Sequence, residues 1–170
     1  MQTMKYFLLL SLTLLIGCSD LDRKTINLPE KIRNLPVGIE VKHSVDTAYA
    51  SLNDTLSRWG KYKWSYATTV STMDKELRII EFGGLIEENN SWVERTIRSR
   101  PFNNREFEKW YGAPDGVLKT GKEYTDNNNW SMSNNLGNRE SKVVWYFIGV
   151  DKEGKKFVGY ELITNKPELK

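Results

Sequence analysis

The sequence predicts a mainly β domain built from antiparallel strands. Residues 62–72 alternate between aromatic or β-branched side chains and smaller or polar ones, which is the two-residue period of a strand. Residues 143–150 are apolar on both faces, as in a strand that is covered on both sides. Turn residues at 151–154 separate this run from another over 156–163, and the two runs predict a β-hairpin.

One helix is expected before the first strand. Its evidence is a set of apolar residues that recur at helical spacing: Val45, Ala48, Tyr49, Leu52, Leu56 and Trp59. Ser44 is a suitable N-cap and Gly60 a suitable stop, so the spacing predicts a helix over 44–59. Such a wide aromatic stripe would pack against the sheet.

Two shorter strands follow the strand over 62–72. Residues 77–82 carry apolar side chains on both faces, and the glycine pair at 83–84 allows a bend or a bulge. Residues 92–97 form the next predicted strand, after a turn at 89–90.

A short helix is inserted after Pro101. Asn103 or Asn104 would cap it and Gly112 would end it, which predicts a helix over 104–111. Its aromatic residues would face the core: Phe107, Trp110 and Tyr111.

Residues 113–141 are rich in Gly, Asn and Asp, and we expect one strand around 122–125 within irregular loops. The segment Leu118-Lys119-Thr120-Gly121-Lys122-Glu123-Tyr124 resembles the entry to a middle strand in immunoglobulin-like β-sandwiches of bacterial envelope proteins. That resemblance implies an immunoglobulin-like antiparallel β-sandwich with an N-terminal helix (44–59) and a short inserted helix (104–111). An α+β fold, with the first helix packed on one antiparallel sheet, fits the same elements.

The composition excludes several kinds of site. The 170 residues include 25 Lys and Arg, 22 Asp and Glu, one His and one Cys, which gives a net charge of +3. A single cysteine cannot form an intramolecular disulfide, and with a single histidine it cannot build a Cys/His zinc site. The weak positive charge argues against bulk nucleic-acid binding. We expect no nucleic-acid partner, no metal site and no cofactor.

The N-terminus predicts export. Lys5 precedes an apolar run from Tyr6 to Ile16, about eleven residues long. A transmembrane helix needs about 20 apolar residues, so this run has the length of a signal-peptide core instead.

The apolar run ends in Leu15-Ile16-Gly17-Cys18, which resembles the lipobox of bacterial lipoproteins. The resemblance implies that the signal peptide is removed before Cys18 and that Cys18 then carries the lipid anchor. Several acyl chains give firm attachment to a membrane. Ser19 stands where an Asp often marks inner-membrane retention, and this favours the outer membrane. The periplasmic and the surface-exposed orientation both stay open.

The chain therefore divides into three predicted segments. Residues 1–17 form the cleaved signal peptide, residues 18–40 a lipidated tether, and residues 41–170 a single β-rich globular domain. Pro29 and Pro36 favour an extended tether because proline fixes the backbone and removes a hydrogen-bond donor.

Two groups of residues are candidate binding sites. Trp130 has Tyr124 and Asp126 nearby in the Asn-rich region, and aromatic rings beside amides and a carboxylate suit a sugar. A loop tryptophan that fills the core is the alternative interpretation. Arg98 and Arg100 belong to an arginine cluster with aromatic neighbours, which suits an anionic partner such as a lipid headgroup or an acidic protein. A solvated strand edge is the alternative there.

Catalytic candidates are weaker. Glycoside hydrolysis needs a pair of carboxylates, and the available acids show no spacing that singles out a pair: Glu81, Glu87, Glu88, Glu106 and Asp126. His43 lies just before the predicted helix and is expected to be a surface or capping residue. No Gly-x-Ser-x-Gly motif accompanies it.

The sequence therefore favours a non-enzymatic, lipid-anchored envelope protein that binds a protein partner, such as an accessory or immunity-type lipoprotein. A glycan-binding module that uses Trp130 is the first alternative. A small hydrolase that uses carboxylates is the second.

The lipobox makes a direct prediction. Cys18→Ala removes the sulfur to which the lipid would be attached, so the variant should not incorporate labelled palmitate in bacterial cells, whereas the unaltered chain should. Labelling is measured on the immunoprecipitated protein. A Cys18→Ala protein that still carries the label would overturn the predicted anchor.

Overall fold

A computed structural model describes residues 27–55, 57–96 and 98–170. The chain is mainly β, as the sequence predicts. The strands are β1 (Glu40–His43), β2 (Thr47–Leu52), β3 (Tyr62–Ser71), β4 (Leu77–Glu88), β5 (Ser91–Glu94), β6 (Val117–Leu118), β7 (Tyr124–Ser133), β8 (Ser141–Val150) and β9 (Lys156–Leu169). The helices are α1 (Glu30–Arg33) and α2 (Asn104–Tyr111), with 3-10 turns at Ser57–Trp59 and Pro114–Gly116. None of the helices in the described ranges has the length and apolarity needed to cross a bilayer.

The strands form one mixed, curled sheet. Its main path runs β1-β3-β2-β9-β8-β4-β5, while β7 pairs with β3 and β6 pairs with β4. β1 pairs with the C-terminal half of β3 and β2 with its N-terminal end. Strands β2 and β9 run parallel, so the sheet differs here from the wholly antiparallel arrangement that was predicted.

Strand β8 has a buried apolar set on each face, and these two sets organise the core. Val143, Trp145 and Phe147 belong to an inner cluster, together with residues of β3 and α2. Val144, Tyr146 and Ile148 belong to an outer cluster on the opposite face. Because the sheet curls, side chains of β3 and β8 meet across the inner cluster: Trp145 Nε1 donates to Tyr66 Oη at 2.7 Å.

The predicted helix over 44–59 is wrong. These residues contain a bend over 44–46, strand β2 and a short 3-10 turn, while Leu56 lies outside the described residues. Two residues of the supposed buried stripe, Val45 and Leu52, are 43% and 56% exposed. Ala48 and Ala50 are buried instead, with a strand period of two. Pairing of β2 between β3 and β9 outweighs the local helical spacing, and its partner β9 lies over a hundred residues away.

Helix α2 is confirmed over 104–111. Asn103 Oδ1 accepts hydrogen bonds from the backbone amides of Arg105 and Glu106, and the Glu106 side chain accepts from the Asn103 amide. Gly112 ends the helix with a left-handed backbone, φ 68°. The predicted hairpin of β8 and β9 is also confirmed, with Val150 paired to Lys156.

The Asn-rich region is more regular than predicted. In place of one short strand near 122–125 and irregular loops, it contains the ten-residue strand β7. β4 likewise continues through Gly83 and Gly84 to Glu88, so the glycine pair is not a bend that ends the strand. Of the predicted strand over 92–97, β5 covers residues up to 94, and Ile97 lies outside the described residues.

Residues 28–39, which the sequence analysis placed in the tether, pack on the sheet. Leu28 and Ile32 are buried in the outer cluster. Lys31 Nζ binds Glu81 Oε1 at 2.8 Å, Glu94 Oε2 at 3.2 Å and Tyr146 Oη at 3.0 Å. We call residues 28–39 the strap. The signal peptide, Cys18 and the first part of the predicted tether lie outside the described residues.

The strap should contribute measurably to stability. Ile32→Ala removes a fully buried side chain and should lower the free energy of unfolding by about 2–5 kcal/mol. Val37→Ala, in the same strap but 54% exposed, should change it by less than about 0.5 kcal/mol. Urea unfolding compares the two variants. Equal, small effects would mean that the strap does not cover the outer cluster in solution.

Candidate functional site

A cavity of about 510 Å³ lies where strand β7 faces strands β4 and β8. Its lining combines aromatic rings (Trp59, Phe102, Trp110, Trp130, Trp145), uncharged polar residues (Thr96, Asn128, Asn129, Ser131), the charged residues Arg95, Lys109 and Asp126, and the apolar residues Gly84, Ile86, Met132 and Val143. We call it the aromatic cavity. A concave site of this size suits a small organic ligand.

One wall comes from the inner face of β4 and β8. Gly84 pairs with Trp145, and Ile86 pairs with Val143. Gly84 has no side chain, and a Cβ built there would lie 3.7 Å or more from its neighbours. The glycine therefore leaves room beside the Trp145 ring.

The opposite wall comes from β7, whose polar residues face inward. Asp126, Asn129 and Ser131 pair with three buried residues of β3: Thr68, Tyr66 and Trp64. A register shift next to Asn129 changes the alternation of the strand. Asp126 Oδ1 accepts from the Asn128 amide at 2.9 Å within this irregular segment. The bulge thus brings a carboxylate and an amide residue to one side of β7.

Aromatic packing fixes the third side. Phe102 joins the sheet through paired backbone hydrogen bonds with Phe82. Trp110 of α2 meets the Phe102 ring edge to face, with 4.6 Å between the centroids. Because Phe82 also contacts Trp110 edge to face, the tryptophan is held from two sides.

Burial sets the electrostatics of the polar wall. Loss of solvent raises the pKa of Asp126, although the Asn128 amide and the charge of Lys63 lower it in part. Burial also raises the pKa of Tyr66 to about 12, so its hydroxyl stays protonated at neutral pH. This hydroxyl accepts from Trp145 and lies 3.3 Å from Ser131 Oγ.

Two of the predicted site residues, Trp130 and Asp126, line the aromatic cavity. A loop position was predicted for Trp130, but the residue belongs to strand β7. It pairs with exposed Ser65, so the register places it on the face opposite that of Asn129, and it is half-buried. Trp130 therefore borders the cavity at the edge of β7.

The other predicted residues lie elsewhere. Tyr124 is buried in the inner cluster. Arg98 and Arg100 are outside the cavity lining, and both bind Glu106, at 3.1 Å and 2.9 Å. Since Glu106 is part of the capping box of α2, these arginines stabilise the start of that helix.

The candidate carboxylates do not form a pair in the aromatic cavity. Asp126 is the one acidic residue in the described lining. Glu81 and Glu94 converge on Lys31 at the strap, on the outer face of the sheet. Across the described ranges, no three His, Cys, Asp or Glu side chains are placed to hold a metal ion. What the cavity offers is stacking, hydrogen bonding and charge.

His43 contacts the polar wall from strand β1. It is half-buried, and it does not precede a helix as predicted, because β2 follows it. It lies in β1, where its Nδ1 is 2.9 Å from Thr68 Oγ1. Asn129 Nδ2 donates to the same hydroxyl at 2.6 Å, and Asn129 Oδ1 accepts from the Trp130 amide. Burial lowers the pKa of His43 to about 4, so the ring is neutral at pH 7.

Sequence reasoning missed most of the aromatic cavity. Trp110 and Trp145 carry helix and strand signals that predict core positions, and both also face the cavity. Arg95 belongs to the arginine cluster that the sequence shows, but Lys109 has no distinguishing pattern around it. These residues come from different elements, and they line one cavity only once β4 has paired with β8 and β7 with β3.

Comparisons with known proteins give no family. No protein-family model matches the chain, and no curated protein is significantly similar to it. Among solved structures, murine CRIg is similar with a TM-score of 0.42 and 8% identity, over 78% of this chain and 98% of CRIg. Spo0M, a sporulation control protein from Bacillus subtilis, is similar with a TM-score of 0.37 and 9% identity, over 76% of this chain and 49% of Spo0M. At these values neither similarity assigns a function.

The half-buried histidine His43 predicts a pH dependence of stability. An unfolded His43 titrates near pH 6.5 and the folded one near pH 4, so the unfolded state binds more protons between these values. The contribution of neutral His43 to the free energy of unfolding is complete above pH 6.5 and is lost as the pH falls towards 4. From pH 7 to pH 5 the loss should be about 2 kcal/mol.

His43→Gln is the control, because glutamine does not titrate. Urea unfolding at pH 7, 6 and 5 should show a smaller decrease for this variant than for the unaltered chain. If the free energy of unfolding falls equally with pH in both proteins, the lowered pKa of His43 is contradicted.

Proposed function

We propose that this chain is a lipid-anchored cell-envelope protein that binds a carbohydrate in the aromatic cavity without cleaving it. The observation that carries the proposal is the lining itself, which opposes aromatic rings to a wall of amide, hydroxyl and carboxylate groups. A sugar ring has an apolar and a polar part that match these two walls, because one face exposes C–H groups and the edge exposes hydroxyls.

The aromatic side supplies stacking. Ring faces are electron-rich, so the weakly positive C–H groups of a sugar pack on them favourably. Trp110 is held by Phe82 and Phe102, so little conformational entropy is lost when a ligand binds against it.

The polar wall of β7 supplies hydrogen bonds that orient the ligand. Asp126 accepts hydrogen bonds from hydroxyl groups, and Ser131 can donate or accept. Because Asp126 is partly withdrawn from water, its hydrogen bonds to a ligand are stronger than those of a solvated carboxylate. These groups would select the orientation and the stereochemistry of the sugar.

The single carboxylate in the described lining supports binding without hydrolysis. A glycosidase of the usual type needs two carboxyl groups on either side of the scissile bond. Asp126 has no acidic partner in the described lining, so the hydrolase alternative has less support than binding.

The lipobox supports the envelope location. Cys18 precedes the first buried strap residue, Leu28, by ten residues, which extend over at most about 35 Å. An anchor at Cys18 would therefore keep the domain close to the outer membrane, where envelope or environmental glycans are available. The proposal includes both orientations of the anchored domain, towards the periplasm and towards the cell surface.

A protein partner is the other candidate binding mode. Arg98 and Arg100 are exposed and could contact an acidic surface, but they already share Glu106. Since the described surface has a concave aromatic site, the glycan function has more direct support.

Filling the aromatic cavity tests the proposal. Gly84→Leu should project a side chain beside Trp145 and lower the affinity for sugars at least about tenfold, because the ligand loses its space. Gly84→Ala adds only a Cβ that fits and should bind nearly as well as the unaltered chain. Thermal unfolding checks that both variants are folded.

Binding is measured first on a glycan array with neutral and anionic members, and then by calorimetry on the best sugar. Sugar binding that Gly84→Leu does not weaken would place the site elsewhere. An array with no bound sugar would contradict the function.

A further inference from the structure

The charges that line the aromatic cavity are separated. Asp126 lies on the β7 wall, whereas Lys109 lies in the last turn of α2 and Arg95 follows β5. Among the described residues, no ion pair joins Asp126 to Lys109 or to Arg95. The two cations of the lining therefore do not neutralise its carboxylate, and the cavity has an acidic and a basic side.

Lys109 is the cation with spare binding capacity. It is exposed, and no ion pair joins it to another residue within the described ranges. Arg95 is bound to Glu88 through Nε and Nη2, at 3.1 Å and 2.9 Å, which leaves Nη1 outside that pair. The pair also holds the arginine beside the cavity.

The surroundings of the basic side add positive charge. Arg98 and Arg100 share the single carboxylate of Glu106, so this trio carries one excess positive charge. The Thr96 hydroxyl binds both the carbonyl and the amide of Arg100, and Thr96 lines the cavity. The excess charge therefore lies on a loop that reaches the cavity wall.

We infer that the carbohydrate bound in the aromatic cavity is anionic, with its acidic group at Lys109 and Arg95 and its hydroxyl groups at Asp126 and Ser131. This inference rests on the proposed carbohydrate-binding function. A carboxylate or a sulfate on the sugar has the charge that this side requires, and both are strong hydrogen-bond acceptors. A neutral sugar would use only the acidic side and the aromatic wall.

The test compares matched sugars. Calorimetry is performed with trigalacturonic acid and with its methyl ester, which has the same rings without the charge, and with a sulfated oligosaccharide and its unsulfated form. At least one anionic sugar should bind more tightly than its neutral counterpart. The difference should shrink at higher ionic strength, because Lys109 is exposed to solvent.

Lys109→Gln supplies the residue-level control. It should lower the ratio of anionic to neutral affinity about fivefold, which removes the preference. Lys119→Gln changes another exposed lysine that does not line the cavity, and should alter neither affinity.

The possible failures are distinct. Neutral sugars that bind as well as or better than the anionic ones overturn this inference and leave the carbohydrate function standing. A preference that survives Lys109→Gln also overturns it, because the acidic group then lies elsewhere. If no sugar of either kind binds, the carbohydrate function itself is wrong, and the inference falls with it.

Discussion

The fold depends on the burial of both faces of strand β8. A strand of this kind needs cover on each side, and the chain supplies two different covers. The inner face is covered by the curl of the sheet, which brings β3 and helix α2 over Trp145 and Phe147. The outer face is covered by the strap, through Ile32 and the contacts of Lys31. Removing either cover would expose large apolar side chains to water.

The aromatic cavity is a consequence of how the inner face is covered. Where α2 packs, aromatic rings fill the space between the layers, as in the stacked pair of Phe82 and Phe147. Beyond Trp145 no large side chain fills the space between β8 and β7, because Gly84 has no side chain and β7 presents short polar residues. The hydrogen bond from Trp145 to Tyr66 joins the layers at this boundary. The same curl that completes the core thus leaves an open, partly polar edge.

Sequence patterns predicted an element correctly where interactions between residues close in the chain determine its structure. Helix α2 and the hairpin of β8 and β9 depend on residues close in the chain, and both were predicted correctly. Strand β2 was mistaken for a helix because apolar residues in and around it recur at helical spacing, whereas its strand pairing with β9 is non-local. β7 was mistaken for loops because Asn and Asp disfavour strands, and its pairing with β3 outweighs that preference. Trp130 and Asp126 were identified from their chemistry, whereas Lys109 required the fold.

The proposed sugar site is the space between Trp110, Trp145 and the polar wall of β7. Intermolecular nuclear Overhauser effects between the protons of a bound sugar and the indole rings test it most directly, since the six tryptophans are well distributed through the chain. We expect contacts from the sugar ring to Trp110 and Trp145. Contacts confined to the strap or to the outer face of β8 and β9 would contradict it.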